Sequence, residues 1–191
     1  MRAAVFEDVK TIRVHEDYPK PEPAPDEALV NVHYCAICGS DLTNFKNKLY
    51  QVPLVMGHEF SGTVEEVGED VEGFSTGDKV VGINVLSEEG YGDVSGLGIF
   101  RDGGFAEYVT VPKKDLFHVP DSISLLDASM IESFSVAYRA IHWVNLEEHE
   151  RIAIVGGGNI GLTTLNVLLS HSDLDYVIVV EPHDFLREKA L

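Results

Sequence analysis

The chain has 191 residues, 45% of them hydrophobic, and sets 14 basic against 32 acidic side chains for a formal charge of −18. That length and apolar content fit one large domain, or one domain with part of another, and exclude a disordered chain. So acidic a balance excludes nucleic acid and anionic membranes as partners; it reads first as a solubility device, with adaptation to salt as a secondary reading.

In chain order, Ala3–Phe6 and Thr11–Val14 form a strand pair around a turn at Glu7–Lys10. Pro19, Pro21, Pro23 and Pro25 alternate along an extended connector, because proline neither donates to a ladder nor continues a helix. Ala28–Tyr34 is a strand, and Ser40–Lys46 a short helix capped by Ser40 or Asp41. Phe60–Val67 is a strand ended by Gly68, and Asp78–Gly82 is another. Residues 87–104, with glycines at 90, 92, 96, 98, 103 and 104, read as a long flexible loop. Phe105–Val111 alternates as a strand. Several short strands with glycine and aspartate turns make this first part a β-barrel or sandwich. Beyond Pro120 the pattern becomes helical: Ser124 and Asp127 precede a helical stretch through Ile131, and Val136, Ala137, Ala140, Ile141 and Val144 recur at helical spacing. Ile152–Val155 and Tyr176–Val180 are buried strands flanking a helix over Ile160–Leu169, and Phe185–Leu191 starts another helix. The fold class is therefore α/β plus β, with a β domain at 1–133 and the first βαβ of a doubly wound sheet at 134–191, the boundary falling near Glu132.

Two constellations carry chemistry. Cys38-Gly-Ser-Asp41 and Gly57-His58-Glu59 bring together a thiol, an imidazole and a carboxylate, a donor set suited to zinc. Cys38 and His58 are candidate ligands, Glu59 and Glu132 are the candidate carboxylates, and Asp41 is placed to accept the other ring N–H of His58. Ser40 is a candidate proton carrier. Taken singly, Cys38 is a small buried hydrophobe, His58 a structural histidine, and Cys35-x-x-Cys38 a redox pair, although such pairs belong in α/β rather than β-rich surroundings. The second constellation is Gly156-x-Gly158-x-x-Gly161 between a strand and a helix. Its glycines allow the tight turn, the approach of a pyrophosphate and close helix–strand packing. Asn159 and Ile160 open the helix whose N–H groups face the phosphates, and Glu181, at the end of the second strand, meets a ribose 2′-hydroxyl and repels a 2′-phosphate, favouring NAD over NADP. A glycine turn without ligand is the plain alternative.

These motifs in this order resemble the zinc-dependent medium-chain dehydrogenases, the alcohol, sorbitol, glucose and threonine dehydrogenase kin. The likeness runs through Cys-Ala-Ile-Cys-Gly-Ser-Asp at 35–41, Gly-His-Glu-Phe-Ser-Gly at 57–62, Val-Gly-Glu-Asp-Val at 67–71, Gly-Asp-Lys-Val at 77–80, Gly-Gly-Phe-Ala-Glu-Tyr at 103–108 and the glycine loop at 156–161. It implies a GroES-like β-barrel catalytic domain beside a Rossmann domain, with the active site in the cleft. It also implies a catalytic zinc on Cys38 and His58 with Glu59 or Glu132, Ser40 as the relay hydroxyl, and hydride exchange between NAD and a secondary alcohol, polyol or sugar. The Glu form at 132 looks like the polyol and sugar branch.

Three departures stand out. No cysteine lies between 85 and 104, so no structural zinc is expected. Thr43 and Asn44 occupy the place where many relatives carry a relay histidine, so the proton leaves by another route. Relatives also continue well beyond the length of this chain, which implies a fragment or a chain completed by another polypeptide, a poor dehydrogenase as an isolated monomer. The resemblance also implies a homo-oligomer, and the cytoplasm is expected, since Met1–Lys10 has no apolar leader, no apolar run is of membrane length, and two cysteines fit a reducing compartment. A non-catalytic remnant that binds zinc or nucleotide without turnover is the alternative from another class, and zinc-independent enone or quinone reduction is a third, disfavoured by the ligand set.

Overall fold

The structure is a computed structural model that describes residues 1–84, 96–144, 146, 151–171, 174 and 176–191. The chain divides into two compact units, Met1–Glu132 and Ser133–Leu191.

The first unit is built on two antiparallel sheets. Strands β1 (Ala3–Asp8) and β2 (Thr11–His15) pair as a hairpin whose turn places Lys10 at φ 56°, and β4 (Leu54–Val55) adds to the other edge of β1. The larger sheet runs β7-β3-β5-β6-β8, from Tyr108–Pro112, Glu27–Ala36, Glu59–Val67, Lys79–Gly82 and Leu116–His118. Its core is an aliphatic cluster that includes Ala28, Val30, Phe60, Val64, Val80 and Val109. Ala28, Leu29 and Val30 are all buried, so β3 is covered on both faces at its start and becomes more exposed further along, at His33 and Tyr34. Glu27, at the head of β3, is buried and accepts a hydrogen bond from Arg101 Nη1 at 2.6 Å, while Arg101 Nη2 donates to Thr110 Oγ1 at 2.6 Å.

Strand β4 and the short strand β8 carry too few residues to show a period. The strand expected from Phe105 begins at Tyr108, although the backbone ahead of it is already tied down. Gly103 N donates to Val55 O, Gly104 N to Gly57 O and Phe105 N to Met56 O, all within 2.7–2.9 Å. The stretch 85–95 of the expected glycine loop lies outside the described residues. From Gly96 onward the expectation of flexibility is corrected: Gly96 to Arg101 fold into a tight turn closed by Phe100 N and Arg101 N on Gly96 O, and Gly98 and Gly103 pack directly on the backbone of Gly57. Helix α2 (Leu125–Ala128) is capped by Ser124, whose Oγ accepts the Asp127 N–H at 3.1 Å, so Asp127 lies inside the helix instead of before it.

The second unit begins within α3 (Ile131–His142). Strands β9 (Arg151–Val155) and β10 (Tyr176–Val180) pair in parallel, joined by α4 (Asn159–His171), and α5 (Asp184–Lys189) follows. Ala137, Ile141, Ile154, Leu165, Val167 and Leu168 form its core, the helical period of α3 meeting the continuous apolar run of β9. Among the described residues no helix is long and apolar enough to cross a membrane.

Candidate metal centre and nucleotide loop

The pairing of β3 with β5 brings the first constellation together. The rungs Cys35↔Phe60 and Ala36↔Glu59 set the end of β3 beside the start of β5. Three residues past the end of β3 the chain enters α1 (Gly39–Asn47), and two residues before Phe60 it delivers His58. Gly57 makes that delivery possible. Its φ of +92° lies in the left-handed region, and a Cβ there would sit 2.7 Å from the Phe105 ring and 2.8 Å from Cys35 Sγ.

The cap of α1 is Cys38, not Ser40 or Asp41. Asp41, at the third helical position, turns Oδ2 back to accept the Cys38 N–H at 2.9 Å. Its other oxygen, Oδ1, lies 3.8 Å from His58 Nδ1, an ion-pair distance longer than a hydrogen bond. The other ring nitrogen, Nε2, lies 3.5 Å from Ser40 Oγ.

Cys38, His58 and Glu59 each offer a donor atom within 4.8 Å of the others, a spacing compatible with ligands that share one ion at ~2.0–2.3 Å. His58 and Glu59 are buried and Cys38 half-buried. Glu132, in the first turn of α3, stands outside that trio, yet its charge acts on His58 while Glu59 acts on it.

The electrostatics fit a cation. Burial opposes a charge on His58, but a hydrogen bond to Cys38 and the charges of Asp41, Cys38 and Glu132 outweigh it and raise the ring's pKa to about 9. Burial pushes the Asp41 carboxyl up, against the lowering effect of the Cys38 N–H and His58, and Glu59 adds to the rise. Burial likewise raises Glu132, partly offset by His58. Acidic groups thus outnumber the one imidazole that can balance them. Two buried polar atoms, Asp41 Oδ1 and His58 Nδ1, have no hydrogen-bond partner. A thiol, an imidazole and carboxylates in that condition suit zinc. Cys35 is a different kind of group: burial and the charges of Asp41 and Glu59 push its thiol far above the ordinary value, which removes the thiolate a redox pair would need.

Two residues near the site carried no signal in the sequence beyond an unusual position. Asn44 is fully buried; its Oδ1 accepts the Tyr50 N–H at 2.8 Å and its Nδ2 contacts Met56 Sδ at 3.1 Å. Asn44 therefore anchors the segment after α1, and Tyr50, in that segment, brings its phenol beside Ser40. Thr43 is exposed and donates to Gly39 O at 2.9 Å within the helix.

In the second unit the glycine loop joins β9 to α4. Gly156 has φ +107°, and a Cβ on Gly161 would lie 1.9 Å from Gly156 O, so the turn and the helix start both require glycine. No atom stands within 4 Å of the Cβ position of Gly158, which leaves open the face where a phosphate would approach. Asn159 Nδ2 donates to Ser133 Oγ at 2.9 Å, tying α4 to α3, and Ile160 is exposed. Glu181 Oε2 accepts the Gly157 N–H and Oε1 the His183 N–H, each at 2.8 Å, and these bonds hold its carboxyl below the ordinary range.

Residues 24–121 match the alcohol dehydrogenase GroES-like domain. The (R,R)-butanediol dehydrogenase of Bacillus subtilis (strain 168) is 33% identical over 209 residues, covering 95% of this chain and 59% of that protein. Among solved structures, an alcohol dehydrogenase of Escherichia coli CFT073 complexed with NADH superposes with a TM-score of 0.90 at 31% identity, covering 100% of this chain and 59% of the other. A Sinorhizobium meliloti 1021 protein bound to NADP gives a TM-score of 0.90 at 30% identity, covering 99% and 58%. The chain thus spans between half and three fifths of the length of such relatives. Its sheets and its strand–helix–strand unit are those of a GroES-like domain followed by the start of a Rossmann domain, and the chain belongs to the alcohol dehydrogenase GroES-like family, among the zinc-dependent medium-chain dehydrogenases of alcohols and polyols.

Proposed function

We propose that this chain supplies the zinc-binding half and the adenosine end of the cofactor site of an oxidoreductase that moves hydride between a secondary alcohol, of polyol or sugar type, and NAD. The observation that carries this reading is the convergence of Cys38, His58 and Glu59 at the β3–α1 junction, in a chain of a dehydrogenase family. Cys38 and His58 would hold the ion, with Glu59 as the near carboxylate and Glu132 as the flanking one. When bound, zinc supplies a Lewis acid that makes an alcohol proton easier to lose, and NAD supplies the hydride acceptor.

The remaining work falls to side chains. Ser40, 3.5 Å from His58 Nε2 and beside the Tyr50 phenol, takes the substrate's hydroxyl proton and passes it outward. That route needs no histidine at position 43 or 44. The open face at Gly158 and the first N–H groups of α4, at Asn159 and Ile160, receive the pyrophosphate. Glu181 has lone pairs to spare after accepting two backbone N–H groups and takes a ribose hydroxyl.

The test is the metal content of the purified chain beside a Cys38→Ala chain. About one zinc per chain, lost in the variant, is the expected result for a single catalytic site without a structural one. A folded wild-type chain that takes up no zinc when the metal is supplied would overturn the reading.

A further inference from the structure

Relatives of this chain have been solved with NADH and with NADP, so the carboxylate after the second Rossmann strand is not the whole of the choice between them. In this chain the segment after β10 carries both signs of charge: Glu181, His183, Asp184, Arg187, Glu188 and Lys189. A guanidinium six residues past Glu181 is the group that would receive a ribose 2′-phosphate, because its planar fork matches phosphate oxygens.

The structure shows where that guanidinium goes. Arg187 Nη1 donates to the backbone carbonyl of Glu181 at 2.6 Å, and Nη2 pairs with Asp184 Oδ1. The remaining cation of α5, Lys189, lies over the Phe185 ring at 5.4 Å. Glu181 itself is fixed on the glycine loop by the Gly157 N–H. We infer that Asp184 is a specificity-determining residue: by holding Arg187 in an internal ion pair it denies a 2′-phosphate the guanidinium counter-charge at that strand end, and so reinforces the exclusion set by Glu181. This inference rests on the dinucleotide reading of the glycine loop. Removing the Asp184 carboxylate frees the Nη2 end of a side chain already 45% exposed at that strand end.

The experiment measures binding of adenosine 5′-monophosphate and of adenosine 2′,5′-bisphosphate to the chain by NMR titration. Both probes occupy only the adenosine end that this chain contains. Wild type, Asp184→Asn, Arg187→Gln and the double variant are compared, and because Asp184 and Arg187 are exposed, circular dichroism of all four should coincide. Wild type is expected to favour the monophosphate. In Asp184→Asn the affinity ratio should shift toward the bisphosphate about fivefold, the scale of one exposed ion pair exchanged for another. In the double variant that shift should vanish. An unchanged ratio in Asp184→Asn, with the monophosphate still binding, overturns the inference alone. So does a shift that persists without Arg187, since it would report only the loss of one negative charge. Failure of the monophosphate to bind any of the four chains overturns the dinucleotide reading, and the inference falls with it.

Discussion

Gly57 joins the stability of the first unit to the geometry of its site, and Gly57→Ala separates the two contributions. Two costs arise. A side chain at φ +92° bears backbone strain of about 1–2 kcal/mol. The new Cβ would also meet the Phe105 ring at 2.7 Å and Cys35 Sγ at 2.8 Å. Neither neighbour is free to retreat: Phe105 N is bonded to Met56 O, Gly104 N to Gly57 O, and Cys35 lies within the β3–β5 ladder. Overpacking of that kind adds about 1–3 kcal/mol. Gly73 provides the control, because its φ is +87° and nothing stands within 4 Å of its Cβ position. Gly73→Ala therefore carries the strain alone, about 1–2 kcal/mol. Urea unfolding followed by circular dichroism, in the presence of a chelator, should place Gly57→Ala at about 2–5 kcal/mol. The same displacement moves His58 and Glu59, so zinc affinity by competition with a chromophoric chelator should fall in Gly57→Ala and hold in Gly73→Ala. Equal destabilisation of the two variants would refute the argument that the tight packing around Gly57 positions the ligands.

Two further outcomes follow from buried charge. Asp115 is wholly buried, and both of its carboxyl oxygens lack a hydrogen-bond partner; Asp115→Asn, an amide of the same shape, should raise the urea midpoint by the equivalent of about 1–3 kcal/mol, and a lower midpoint would show that the carboxylate itself is needed. Glu27 is pulled below its ordinary 4.5: burial works against this, but Arg101, the Ala24 N–H and Thr110 prevail. A carboxyl depressed in the folded state contributes stability that is complete above pH 4.5 and is lost as the pH falls through the lower folded value. Glu27→Gln should therefore cost about 1 kcal/mol at neutral pH and flatten the acid limb of stability against pH, and an unchanged acid limb would rule this pair out as its source.

What the sequence disclosed and what it hid have the same physical basis. Strands long enough to show alternation or an unbroken apolar run, such as β5 and β10, and the strand–glycine–helix junction at 155–161, are placed by local pattern, but the burial expected of β10 is not found, since Tyr176, Ile178 and Val180 are exposed. The two residues of β4 hold no pattern. The cap of α1 was misplaced because Ser and Asp are the common caps, whereas here Asp41 at the third position reaches back to the Cys38 N–H and makes a cysteine the boundary. The glycines at 98 and 103 look like loop material in sequence, but they are small because Gly57 passes against them, a tertiary contact that leaves no mark on local composition. Tyr50 was invisible for the same reason, since only the fold brings its phenol to Ser40.

The register of β5 explains why the donor cluster and the core belong to one structural decision. Adjacent residues of a strand point to opposite faces, so Phe60, 1% exposed in the apolar core, and Glu59, 1% exposed toward Cys38 and His58, are placed by neighbouring rungs of one ladder. Burying the Phe60 ring is worth about 1.5–3 kcal/mol, and it works against the crowding of raised carboxyl groups around a single imidazole on the other side. A slip of one residue would turn Phe60 out of the core and Glu59 into it. The apolar side of the strand therefore holds the acidic side in place before any ion arrives. That ordering suits the proposed metal centre: the energy that assembles its donors comes from Phe60, Val64 and Val80 packing together, and a bound cation would relieve the repulsion among their carboxylates.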